Sequence, residues 1–181
     1  MKKDNTAIFQ IDSLKKLNFN SDSSIFMIKE ALKMGIDVWI SSPNTLTLYE
    51  RQAFVQAYRV LDSNFSLSEP IKVSIKDFKF FFIRQDPPFD SNYLTNCYIL
   101  ELHQINNKSP FFVNNPSAIK NFTEKIFPLY FNDLIPKTFI TSNPSEFKRI
   151  LNDLKIVVVK KLYNKGGEGV YKIRLDDSNA L

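Results

Sequence analysis

Three of the chain's four glycines, Gly166, Gly167 and Gly169, fall in one stretch, IVVVKKLYNKGGEGVYKI. Glycine takes positive φ without steric cost and lets a ligand approach the main chain, so successive N–H groups here could face an anion such as a phosphate. The β-rich segments on either side, Ile156 to Leu162 and Gly169 to Leu175, fit a hairpin turn equally well. A second set of chemically capable residues, Arg84, Asp86 and Asp90, surrounds a Pro-Pro pair in FIRQDPPFDSNYLTNCYILE. It follows a strongly hydrophobic run, and ligands of open α/β sheets bind at the carboxyl ends of strands. Arg84 and Asp86, two apart, lean to one side if the strand continues through them. The alternative is an internal Arg–Asp pair that fastens the turn.

Other chemistries are closed off by composition. Cys97 is the only cysteine, so no intrachain disulfide or cysteine-rich metal site can form, which suits a reducing cytoplasm. His103 is the only histidine, and its helical context is read as that of a surface or partly buried side chain rather than a catalytic one. The net charge of +5 invites a nucleic-acid reading, yet the basic residues are scattered among Asp and Glu with no basic stripe, so no nucleic-acid partner is expected. No membrane partner is expected either, because no apolar run approaches spanning length. Asp4 and the short apolar run after it argue against an ordinary signal peptide.

The elements that must position these residues read as alternating strands and helices. Thr6 to Ile11 reads as a buried first strand. Asp22, Ser23 and Ser24 are N-cap types ahead of Ile25, Ile28 and Leu32 at helical spacing, and Gly35 falls at a helix C′ position. IDVWISS then reads as a second, parallel strand. TLTLYE, AFVQAYRVLD and IKVSI suggest an antiparallel excursion, and FKFFFIR is read as the central strand. Helical spacing through Tyr93, Cys97, Leu100 and Leu102 makes Cys97 a core residue. FFVNNPSAIKNFTEKIF reads as strand, turn and helix with Pro116 just inside the helix start. A helix over PSEFKRILNDLK, a strand, the glycine loop and a last strand complete the chain.

RQDPPFDSNYLTNCYILE, then FVNNPSAIKNFTEKIF, then VVVKKLYNKGGEGVYKI resemble in order and spacing the prokaryotic-type glutathione synthetases, as does the opening IDSLKKLNFNSDSSIFMIKEA. The resemblance implies an α/β fold, with a Rossmann-like pre-ATP-grasp domain over residues 1–122 and the beginning of an ATP-grasp domain over residues 123–181. It implies an ATP- and Mg²⁺-dependent ligase that joins γ-glutamylcysteine to glycine through an acyl phosphate. By the same resemblance, Lys125 in TEKIF, at a helix end, and Lys160 in VVVKKL contact the nucleotide phosphates. Gly166 and Gly167 belong to a mobile loop over them, and Arg84 and Asp86 are candidate substrate contacts.

The family continues well beyond the position of Leu181, where its Mg²⁺ ligands lie, so no catalytic set is expected to be complete in this chain. The chain by itself is expected to be inactive, Asp176 and Asp177 being read as a solvated end. Lys161, Tyr163 and Asn164 depart from the family's usual Pro, Asp and Gly. Asn164 is expected to substitute for glycine by adopting a left-handed conformation, and Lys165 to add a cation near the phosphates. A homo-oligomer, a complementary C-terminal half forming a split enzyme, and a non-catalytic binding or regulatory module are the alternatives that the resemblance leaves open.

Overall fold

The computed structural model describes residues 3–164 and 166–177. The chain forms two compact units, Met1–Asn121 and Phe122–Leu181.

In the first unit, the strands β1 (Thr6–Gln10), β2 (Asp37–Ser41), β3 (Thr47–Tyr49), β4 (Gln52–Arg59), β5 (Ile71–Ser74), β6 (Phe80–Ile83) and β7 (Phe111–Val113) make one sheet in the order β3-β4-β2-β1-β6-β7, with β5 also paired to β4. β1 lies parallel to both β2 and β6, and β6 lies parallel to β7. The excursion through β3, β4 and β5 is antiparallel, as the alternating segments suggested. β6 is interior rather than central, one strand from the β7 edge. Its hydrophobicity reflects parallel neighbours on both sides and helices over both faces.

Helix α1 (Ser23–Lys33) starts where the sequence places it: the Asp22 carboxylate caps it, accepting from Ser24 N at 2.7 Å and Ile25 N at 3.1 Å. Gly35, at φ 73°, turns the chain out of the helix into β2. Ile25 and Ile28 of α1 pack on Ala7, Phe9, Val38 and Ile40, one face of the sheet. The opposite face, with Ile8, Trp39, Phe81 and Ile83, is covered by α2 (Ser91–Asn106) through Leu100. Each fully buried large apolar side chain in these layers stabilises the fold by about 1.5–3 kcal/mol. Burial pushes the Cys97 thiol up to about 11, which makes it an inert core group rather than a nucleophile.

α3 (Pro116–Asn121) is tied to α2 by an ion pair between Lys120 and Glu101, which holds the Glu101 carboxyl below its ordinary range. The Lys120 ammonium also stands 4.6 Å from the centre of the Tyr98 ring.

His103 corrects the sequence expectation. It is fully buried, because the ring clamps two chain segments: Nδ1 accepts from Ala53 N at 2.9 Å and Nε2 faces Ser109 O at 3.0 Å. A backbone N–H can only donate, so Nδ1 is unprotonated and the proton sits on Nε2. Burial accordingly lowers the imidazole pKa below 6.5.

The second unit contains a run of tight 3₁₀ turns over Phe127–Leu134, the helix α4 (Pro144–Leu154), and an antiparallel hairpin of β8 (Ile156–Lys160) and β9 (Val170–Arg174). Asn143 caps α4 through Ser145 N, with Pro144 at its first turn. Ile150 and Leu151 are the buried residues of α4. Ile156, Val158 and Val170 of the hairpin remain 47%, 56% and 41% exposed. No helix among the described residues is long and apolar enough to cross a membrane.

Two outcomes are expected. Unfolded His103 takes up a proton near 6.5 while the folded, depressed group does not, so its contribution is fully present above 6.5 and is lost as pH falls from there through the folded value. Melting curves from about pH 7.5 to about pH 5.5 should show Tm falling, whereas His103→Gln, which removes the sole histidine, should melt lower at neutral pH but lose that slope. Amide exchange should also be faster in β8 and β9 than in β1, because a two-stranded hairpin with little burial opens more readily than an interior strand. Equal protection in the two would contradict this reading of the second unit.

Candidate functional site

Within the first unit, the parallel pairing of β1, β2 and β6 brings three strand ends to one edge. Arg84 N donates to Gln10 O at 2.9 Å, continuing the ladder one residue past β6. The Arg84 guanidinium then reaches the start of α1, where Nε donates to Ser24 Oγ at 3.1 Å and Nη2 to Ser23 Oγ at 2.6 Å. The regular strand stops at Ile83, so strand alternation does not extend to Asp86. The backbone N of Asp86 donates to Asp12 Oδ2 at 2.7 Å. The loop is therefore fastened from Asp12, Ser23 and Ser24.

Asp90 has a local task as the N-cap of α2, accepting from Tyr93 N at 2.9 Å. The Tyr93 ring packs on Phe89, and burial pushes its phenol up to about 12, so it remains a hydrogen-bonding group rather than an acid–base one. Asp12, Ser23 and Ser24 were not singled out as site residues by sequence reasoning. Asp12 was findable, since it follows the first strand at the edge where ligands bind.

Within the second unit, Lys125 and the glycine loop come together. Lys125 lies in a turn after α3, not at a helix end, because α3 stops at Asn121. Its Nζ donates to Leu162 O at 3.3 Å and Asn164 O at 2.5 Å, the carbonyls that lead into the loop.

Gly166, Gly167 and Gly169 have φ of 62°, 80° and 71°, so among the described residues of the loop the left-handed conformation is carried by glycine. Asn164 does not adopt it, contrary to expectation; three left-handed glycines within four positions already reverse the chain. Positions occupied by a Cβ at Gly166 or Gly167 would meet nothing within 4 Å, leaving the loop backbone open on that side. At Gly169 a Cβ would lie 2.8 Å from Lys161 Cδ. Lys161 N donates to Gly169 O at 3.2 Å, a bond that a proline at this position could not make. Lys165 lies outside the described residues. The stretch is thus a hairpin turn, and its open backbone is compatible with a phosphate cradle as well.

Lys160 ends β8 opposite Val170. The hairpin register puts Ile156, Val158, Lys160, Val170, Lys172 and Arg174 on one face, all exposed. Sequence reasoning found Lys160 by resemblance but missed Lys172 and Arg174, which join it only through pairing across the hairpin. An apolar strip carrying three cations can take up a flat, polyanionic ligand. Among the described residues no group of three or more His, Cys, Asp or Glu side chains could hold a metal ion. Asp176 and Asp177 are exposed.

The two units correspond to two adjoining family matches. Residues 6–120 match "Prokaryotic glutathione synthetase, N-terminal domain" and residues 124–181 match "Prokaryotic glutathione synthetase, ATP-grasp domain". The architecture is thus an α/β domain followed by ATP-grasp sequence, and a solved D-alanyl-alanine synthetase A from Vibrio cholerae shares the fold, with a TM-score of 0.53 at 15% identity over 96% of this chain and 53% of that one. The chain belongs to the prokaryotic glutathione synthetase family. It is 36% identical to the glutathione synthetase of Agrobacterium fabrum over 97% of its length and 33% identical to that of Mesorhizobium japonicum over 94%. The chain spans about half the length of these curated relatives, 55% of each.

The loop geometry predicts unequal responses to alanine. Gly169→Ala meets both the cost of φ near 71° and the Lys161 side chain, whereas Gly166→Ala meets the backbone cost alone, about 1 kcal/mol. Amide exchange at Lys161 and Val170 should therefore accelerate more in Gly169→Ala, and adding Lys161→Ala should recover part of the difference. Identical exchange in the two glycine variants would show that the Lys161 stem does not pack on the loop.

Proposed function

We propose that the chain supplies the N-terminal half of an ATP-dependent carboxylate–amine ligase that joins γ-glutamylcysteine to glycine in the cytoplasm. The observation that carries this reading is the convergence of Lys125 with the loop of Gly166 and Gly167. A cation held at the entrance of an open, left-handed glycine backbone is a fit for nucleotide phosphates. ATP, when bound, supplies the phosphoryl group that activates the substrate carboxylate.

Lys125 and Lys160 bring compensating charge from a turn and from a strand end, so the phosphates are neutralised from two elements. The loop of Gly166 and Gly167 covers them and limits water access. On the substrate side, Arg84 places its charge at the N-terminus of α1, where the helix dipole is also positive. That combination suits a substrate carboxylate, and Asp86, two residues on in the same loop, is the candidate for an amino group. Mg²⁺ belongs to the same reading, but the described residues present no ligand set for it. Its ligands are assigned to the part of the relatives that this chain does not span.

A chimera that joins this chain to the C-terminal remainder of the Agrobacterium fabrum relative tests the assignment. In it, Lys125→Ala and Lys160→Ala should each weaken ATP binding about tenfold or more, the loss of one charge-assisted hydrogen bond. Lys148→Ala, on the exposed face of α4, should leave it unchanged. Lys120 is not a neutral comparison because of its ion pair with Glu101. Equal affinities across the three variants would remove the phosphate-binding roles. The exposed face of the hairpin favours one second reading, in which a separate chain supplies the remainder. Activity on mixing the two halves, without covalent fusion, would establish it.

A further inference from the structure

Gln10 ends β1 between Ser41 of β2 and Ile83 of β6 in the parallel register. Its side chain is 0% exposed, and neither its Nε2 nor its Oε1 has a hydrogen-bond partner among the described residues. Ser41 is 2% exposed, and its Oγ is likewise unpartnered. Register partners on parallel strands point to the same face, about 4.8 Å apart, so these two orphaned groups are neighbours on the α2 side of the sheet. Trp39 Nε1, two residues before Ser41 on that face, is also unpartnered, as is Gln85 Nε2 just past β6.

Buried polar groups almost always have partners, and an isolated amide at the end of an apolar layer is strongly disfavoured. Three features define the missing partner. It both donates and accepts, because Gln10 presents both kinds of atom. It is small, because the site is closed to solvent. It is uncharged, because the cation of this strand edge, Arg84, is directed to Ser23 and Ser24 at the α1 side, and an unpaired buried anion would be costly.

We propose that Gln10 and Ser41 form a buried water-binding site on the α2 side of the sheet edge. The bound water accepts from Gln10 Nε2 and donates to Gln10 Oε1 and Ser41 Oγ in turn, and so fixes the Gln10 side chain. The site lies directly below the segment of Arg84 and Asp86, because Gln10 O is the acceptor for Arg84 N.

The full chain is used for the test. In the wild type, the side-chain amide protons of Gln10 should show a nuclear Overhauser contact with long-lived water. Its absence would overturn the site. Gln10→Met and Ser41→Ala should each lower Tm by about 2–4 °C, since each leaves the other group and the water short of a bond. The double variant should lose less than the sum. A rise in Tm for either single variant, or strict additivity, would mean that the two groups are separate orphans with no shared ligand. Coupling without the water contact would indicate a direct Gln10–Ser41 bond and would equally overturn the proposal. Should the variants fail to fold, the wild-type contact decides by itself.

Discussion

β1 is buried along its whole length, and that single constraint organises the first unit. A strand with a parallel neighbour on each side needs apolar cover on both faces, which α1 and α2 provide. Parallel neighbours also point their carboxyl ends the same way. Asp12, Ser41 and Arg84 therefore meet along one edge although they are far apart in the chain. The ladder bond from Arg84 N to Gln10 O fixes the height at which the Arg84 side chain leaves the sheet, and hence its reach to Ser23 and Ser24.

Away from that edge, polar clamps determine how the layers are held in place. His103 joins the start of β4 to the segment before β7 through both ring nitrogens, and Lys120 joins α3 to Glu101 of α2. Both are charge-capable residues in structural roles. Removing His103 would leave the buried Ala53 N–H without its acceptor, which generally costs more than the bond itself contributes, whereas Glu101, partly exposed, would keep water in place of Lys120.

The second unit rests on a different balance. Its buried side chains within α4 are few, and one face of its hairpin combines exposed aliphatic residues with Lys160, Lys172 and Arg174. Cations flanking an apolar strip are poorly suited to a packed interior and well suited to a ligand that is both planar and polyanionic. The lysine at position 161 helps to hold the turn: its N–H closes it, and its methylenes pack where Gly169 has no side chain.

The sequence alone determined the order of the elements, because periodicity, the Asp22 cap, Gly35 at a helix end and Pro116 and Pro144 at helix starts are local signals. It also carried the family resemblance, through residues contiguous within RQDPPFD and NKGGEG. What it could not show was which distant groups meet. That His103 is buried follows from β4 and the Ser109 segment closing on it, not from its own helix. Asp12 comes to the Asp86 backbone only because β1 and β6 pair in parallel, and Lys172 and Arg174 join Lys160 only through the register of a hairpin. Lys125 gained its position at the glycine loop from chain folding across more than thirty residues. Local propensities are written in neighbouring residues, whereas pairing, burial and the meeting of charges are set by the packing of the whole unit.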